Sequence, residues 1–332
     1  MTRTCLASIV VFAHAVVALA GDAPEISPAH TENGILVHDV KSEYQAGKTK
    51  IRVLLPDRLV ADKRYRVIYV LPVEALNGHQ FGDGLLEVKT RDLQNKHQAI
   101  FIAPTFSHLP WYADHPTDPS IRQETYLLKV VLPLVERTYP AKASCEGRLL
   151  LGFSKSGWGA WSLVVRHPET FARAVAWDAP LMMDRLGKYG STAIFGTEEN
   201  FARYQLSTAL VAGAERLRGR KRLDLLGYGG FRQDHEQVHL LLDQLRVKHT
   251  YRDGPQRKHD WHSGWVPEAV ELLVAEDRYL SSVWEGLAGG GCARRGRGQV
   301  QILLGSCYDS RTLISAVKSS GRRGRGMHSI LC

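Results

Sequence analysis

Apolar residues gather in short, β-branched blocks that alternate with longer stretches of helical spacing. "GILVHDV" (34–40) and "KTKIRVLLP" (48–56) read as two early strands separated by the polar "KSEYQAG". "YRVIYVLP" (65–72), "AIFIAPTF" (99–106), "GRLLLGFS" (147–154), "ARAVAWDAP" (172–180) and "RLDLLGYGG" (222–230) are short continuous runs that suit buried strands. "KHTYRDGP" (248–255) is a last short strand. Between them, 84–97, "TYLLKVVLPLVERTYP" (125–140, with Pro133 at a kink), "GWGAWSLVVRHP" (157–168) and "HEQVHLLLDQL" (235–245) have helical spacing. "VPEAVELLVAEDRYLSSVW" (266–284) closes the series as a helix. Strands in alternation with helices predict an α/β fold, with a mostly parallel sheet of about eight strands and helices on both faces. Chemistry in such a sheet collects on loops at the carboxyl ends of the strands.

The ends of the chain depart from this pattern. Arg3 precedes an apolar run from Cys5 to Ala20, and Ala18-Leu19-Ala20 is followed by Gly21-Asp22. A basic start, a short apolar core and small residues at cleavage spacing predict a signal peptide over 1–20, hence export, periplasmic or secreted. Residues 21–35 read as a polar linker, 36–285 as the folded domain, and no later run is apolar and long enough to span a membrane. Residues 286–332 are rich in glycine and arginine and read as a disordered tail. That tail holds eight basic residues and one acid, so it accounts for +7 of the formal net charge of +9. The body is therefore near neutral, and its charge gives no reason to expect a nucleic-acid partner. Cys145 is the one cysteine between Cys5 and Cys292, so no disulfide framework and no zinc-binding cysteine pair arise there.

The candidate chemistry starts at "LLLGFSKSGWGAW" (149–161), an apolar strand running through Gly-Phe-Ser-Lys-Ser into a helix. A nucleophilic serine on a strand-to-helix turn needs small residues two positions to either side. Gly152 and Ser156 flank Ser154 in this way, whereas Trp158 would crowd a turn centred on Ser156. Ser154 is the predicted nucleophile. It needs a base, and the base needs a carboxylate, in the chain order Ser, acid, His. Asp234, after "RLDLLGYGG", is preferred as the acid over Asp178, which follows "AVAW". Asp234 also reads as the N-cap of the next helix, with Gln237 three residues on. His259 and His262 in "KHDWHSGW" are both placed to be the base, and spacing does not separate them.

"HEQVH" (235–239) matches H-E-x-x-H, which on a helix places two histidines on one face for zinc with Glu236 as base. Gly229-Gly230 put the motif in the first turn of its helix, and no third ligand follows at a familiar spacing. A zinc hydrolase is therefore the weaker alternative, and no metal or cofactor is expected.

With these residues in place, the chain resembles the putative-esterase branch of the α/β-hydrolases over roughly 36–285, the branch of esterase D, feruloyl esterases and mycolyltransferases. "GFSKSGWGA" resembles its nucleophile segment, and "WYADHPTDPSIRQETYLLKVVLPLVERTYP" (111–140) its Trp-Tyr stretch and following helix. "KHDW" resembles its closing His-x-Trp, which implies His259 as the base. "YVLPVEA" stands where the family holds one oxyanion-hole residue, which implies that the backbone N–H groups of Glu74 and Lys155 form the hole. Pro72-Val73 and Ser156 depart from the family pattern. The resemblance implies an α/β-hydrolase fold with a small cap over 181–222 or none, and a serine hydrolase of small-molecule or carbohydrate esters. Trp111 and Trp261, near the expected site loops, are candidate substrate-binding residues. A non-catalytic relative that binds a glycan or an ester is the remaining alternative.

Overall fold

The computed structural model describes residues 23–275; the expected signal peptide, the basic tail and the last part of the closing helix lie outside the described residues. Ten strands form one sheet: β1 (Glu25–Ile26), β2 (His30–Glu32), β3 (Ile35–Lys41), β4 (Lys48–Leu54), β5 (Val67–Val70), β6 (Ile100–Pro104), β7 (Arg148–Phe153), β8 (Arg173–Trp177), β9 (Leu223–Leu226) and β10 (His249–Tyr251). Their order is β1-β3-β4-β6-β5-β7-β8-β9-β10, with β2 also paired to β3. From β6 through β10 all neighbours are parallel, while β1, β2, β3 and β4 pair antiparallel. The segment expected to be a linker thus contributes β1 and β2: Glu25 pairs with Lys41 and Thr31 with Leu36. These two short strands are polar and largely exposed, so hydrophobic patterning could not reveal them.

The continuous apolar runs are explained by burial on both faces. Along β7, Leu150 packs into one core cluster and Leu149 and Leu151 into the other. The first cluster holds residues of α5 (Ser154–Arg166), α8 (Leu206–Arg218) and α9 (Arg232–Gln244). The second holds residues of α1 (Gly84–Thr90) and α10 (Trp265–Val274). The helix expected over 84–97 breaks at Asp92, which is left-handed, before α2 (Leu93–Lys96). In the segment 125–140, α3 (Gln123–Tyr126) and α4 (Leu132–Thr138) are joined by a π turn at Leu127–Val131. Pro133 brings no N–H to the ladder, and the widened turn lies just ahead of it.

Between β8 and β9 the expected small cap amounts to a short turn at Lys188–Gly190, α6 (Thr192–Phe195) and α7 (Glu198–Tyr204). The rest of that connection is α8, an ordinary crossover helix packed on α5. Among the described residues no helix is long and apolar enough to cross a membrane.

Candidate active site

The sheet register fixes the site. Phe153, the last residue of β7, pairs with Trp177, the last of β8. The next residues, Ser154 and Asp178, therefore emerge side by side, and the Ser154 N–H donates to the Asp178 carbonyl at 3.1 Å. Both have left-handed backbones, with φ of 52° and 39°. Such strain at non-glycine residues persists only where the surroundings over-determine it.

The turn at Ser154 is held by its neighbours. A Cβ on Gly152 would lie 2.3 Å from the Ser156 carbonyl oxygen, so this side of the turn admits only glycine. On the other side Ser156 adds bonds that glycine could not. Its Oγ donates to the Phe153 carbonyl at 2.9 Å and accepts from the Phe153 N–H at 3.1 Å. Serine at this position clips the turn shut rather than loosening it.

His259 arrives from the loop after β10. Its Nε2 lies 3.0 Å from Ser154 Oγ, and its Nδ1–H donates to Asp178 Oδ2 at 2.5 Å. The ring is bracketed edge-on by Phe81 and Phe153, with centroids 5.2 and 5.0 Å away, and Phe231 lies at 6.0 Å. His262 faces elsewhere, with Nδ1 2.7 Å from Glu87 Oε2. Of the two histidines left open by spacing, His259 is the one at the serine.

The carboxylate at His259 belongs to Asp178, and this corrects the expectation of Asp234. Asp178 Oδ1 also accepts from the Gly230 and Phe231 N–H groups at 2.7 and 2.9 Å. Burial pushes this carboxyl up, and the bonds from His259 and Phe231 outweigh it, so it stays below the usual carboxylate range. Gly229 makes room: a Cβ there would sit 2.3 Å from Asp178 Oδ2. Asp234 is in the first turn of α9, which starts at Arg232, and is not its N-cap. It accepts from the Met182 N–H at 2.9 Å, and burial raises its carboxyl. Asp234 lines a groove of about 270 Å³ with Met182, Lys188, Tyr189 and Gln233. Tyr189 stands edge-on to Phe231, 5.5 Å away, which connects the groove to the ring beside His259.

The two tryptophans expected to bind substrate fall in different places, and the expectation is corrected for Trp111. Trp111 is fully buried, packed edge-on against Trp158 at 5.4 Å. Trp261 lies beneath the site, edge-on to Phe153 and Trp177 at 4.9 and 5.3 Å. Trp111 is a core side chain, whereas Trp261, though buried, also borders a small pocket of about 40 Å³ with Pro72, Val73 and Glu74.

Lys155 is the second residue of α5, in the first turn, where backbone N–H groups have no acceptor within the helix. Its side chain is partly buried, its ammonium lies 5.9 Å from the Phe81 ring, and burial lowers its pKa while the Glu74 carboxylate raises it. Glu74 follows β5, and its carboxylate accepts from the Gln80 and Phe81 N–H groups at 2.9 and 3.4 Å. The Pro72 carbonyl accepts from Tyr112 Oη at 2.6 Å. The segment that departs from the family pattern is therefore pinned at both Pro72 and Glu74.

The H-E-x-x-H residues do not converge. His235 is buried, and its Nε2 accepts from the Ala179 N–H at 3.0 Å, one residue past Asp178. Glu236 pairs with Arg232 at 3.2 Å, and His239 Nδ1 lies 2.7 Å from His249 Nε2. Burial pushes the His235 pKa down to about 4. An unfolded histidine titrates near ~6.5, so the unfolded chain binds the extra proton between these values. Stability is therefore full above ~6.5 and falls towards pH 4, by about 3 kcal/mol in total from this group. We expect the Tm of the wild type to drop across this window and the His235→Gln variant to show a flatter profile; equal profiles would contradict the assignment.

Comparison with known proteins agrees with this architecture. The family model described as "Putative esterase" matches residues 42–226. An esterase of Mycobacterium tuberculosis is 27% identical over 139 residues, which is 41% of this chain and 30% of the relative, so the match spans about a third of that protein's length. A ferulic acid esterase superimposes with a TM-score of 0.58 at 20% identity, covering 72% of this chain and 96% of the other. A fluorophosphonate-binding serine hydrolase of Staphylococcus aureus superimposes with a TM-score of 0.58 at 19% identity, covering 75% of this chain and all of the other (100%).

Proposed function

The chain belongs to the putative esterase family and has the α/β-hydrolase fold, and from this premise we propose that it is a serine hydrolase of carboxylic esters. The observation that carries the proposal is the unbroken line Ser154 Oγ–His259–Asp178, at 3.0 and 2.5 Å. In this reading His259 Nε2 takes the Ser154 proton as Oγ attacks the acyl carbon. The Lys155 and Glu74 N–H groups hold the oxyanion that forms. His259 then gives the proton to the leaving alcohol, and water, activated by the same nitrogen, releases the acid from the acyl-enzyme. Asp178 keeps the Nδ1–H tautomer and offsets the charge of the imidazolium.

In its neutral form the imidazole in this line would present its Nε2 lone pair to the serine, as a general base requires. The groove beside Phe231, with Asp234 and Lys188 in its wall, is proposed to receive the polar part of a small-molecule or carbohydrate ester. Export is proposed from the sequence of residues 1–20 alone. Expression in a secreting host, followed by mass analysis of the exported protein, tests it: the mature chain is expected to begin at Gly21. The enzymatic proposal is tested by a panel of short-chain and aryl-sugar esters, with and without a chelator. Hydrolysis that survives the chelator is expected. Failure to turn over every ester, or loss of turnover with metal removal, would overturn the proposal.

A further inference from the structure

The second histidine of the H-E-x-x-H motif belongs to a different cluster. His239 lies on α9 with Asp243 one turn further on, and His249 stands on β10, the edge strand of the sheet. Each of the three offers one donor atom, and these atoms lie within 4.8 Å of one another. His239 Nδ1 is 2.7 Å from His249 Nε2, His239 Nε2 is 3.7 Å from Asp243 Oδ2, and His249 Nε2 is 4.0 Å from Asp243 Oδ1.

We propose that His239, Asp243 and His249 form a site for a divalent first-row transition cation of the zinc type, which clamps α9 to β10. Three features favour it. His249 Nδ1 lies 2.9 Å from the Val247 carbonyl, which can only accept, so the proton sits on Nδ1 and the Nε2 lone pair faces the cluster. A backbone acceptor behind a ligating imidazole is the arrangement that fixes tautomer and aim at metal sites. The His249 imidazole is 5% exposed, and the His239 ring is stacked on Tyr251 with centroids 4.3 Å apart, so neither ring is free to turn away. Asp243 is 60% exposed and can swing in without disturbing the core.

Without a cation, His239 Nδ1–H donates to His249 Nε2. Nitrogen ligands of a tetrahedral zinc stand roughly 3.3 Å apart, given bonds of about 2.0–2.1 Å. The pair therefore needs to part by about half an ångström, with the His239 proton moved from Nδ1 to Nε2 so that a neutral imidazole ligates through Nδ1. Two imidazoles and one carboxylate leave a fourth position for water. The clamp would brace the strand that leads into the loop carrying His259, and it would take no part in ester cleavage.

The test uses the full chain, stripped with EDTA and titrated with Zn²⁺ by calorimetry at neutral pH. One ion is expected to bind, with the Tm raised by about 5 °C at saturation. His239→Gln is expected to weaken binding at least tenfold and remove the Tm rise, and Asp243→Asn, at an exposed position, to weaken it several-fold with the fold intact. His259→Ala is expected to bind as the wild type does. No stoichiometric binding, equal binding in His239→Gln, or loss of binding in His259→Ala would overturn the proposal. Because His239→Gln and Asp243→Asn leave Ser154, His259 and Asp178 in place, their ester hydrolysis reports separately on the proposed activity.

Discussion

Ser154→Ala is expected to lower ester turnover by about 10⁶-fold, to the level that binding and the oxyanion donors alone supply. The substitution removes one buried oxygen and its bond to His259, and nothing else in the turn depends on that oxygen. The left-handed backbone at Ser154 is kept by Gly152, by the two bonds of Ser156 to Phe153 and by the N–H bond of residue 154 to the Asp178 carbonyl. Circular dichroism and Tm should therefore stay close to the wild type. Steady-state kinetics on one ester suffices as a readout, and turnover within tenfold of the wild type would remove Ser154 from the mechanism.

The second large effect separates two aspartates. Asp178→Asn is expected to lower kcat by about 10⁴-fold. The amide oxygen can still accept from Gly230 and Phe231, but its NH₂ would then face the His259 Nδ1–H. The imidazole would have to present its other tautomer and lose the lone pair aimed at Ser154. Asp234→Asn leaves an oxygen for the Met182 N–H and does not touch His259, so kcat should change by no more than a few-fold, with any larger change in KM through the groove. Reversed magnitudes in the two variants would return the acid role to Asp234.

These two residues also show how far the sequence could be read. The parallel sheet and the turn at Ser154 were legible, because strand burial on both faces and the small-residue demand at Gly152 and Ser156 are written in local composition; between His259 and His262 spacing did not choose, and only the resemblance of "KHDW" to the family's closing segment pointed to His259. The acid was not. Chain order admits both Asp178 and Asp234, and the choice depends on which strand end lies beside β7. Pairing of Phe153 with Trp177 places Asp178 there, a tertiary fact that no local pattern encodes. Gly229-Gly230 held a clue, since a glycine facing a carboxylate at 2.3 Å marks a close approach, but its partner is 51 positions upstream. Trp111 was misplaced for a related reason: nearness to a site loop in sequence does not distinguish a core side chain from one that lines the site. The polar strands β1 and β2 are formed by backbone pairing to β3, and hydropathy is silent on that.

The departures at Ser156 and Pro72-Val73 read differently once their bonds are known. Ser156 fastens the elbow, and Tyr112 and the Glu74 carboxylate fix the segment opposite it. Both replace conformational freedom by hydrogen bonds in the segments proposed to hold the oxyanion donors before the charge develops.

The most direct test is labelling of the intact protein with a fluorophosphonate, followed by peptide mapping. The account predicts a single adduct on Ser154, formed in the wild type and lost in His259→Ala. An adduct on another residue, or no adduct on protein whose fold is intact, would contradict it.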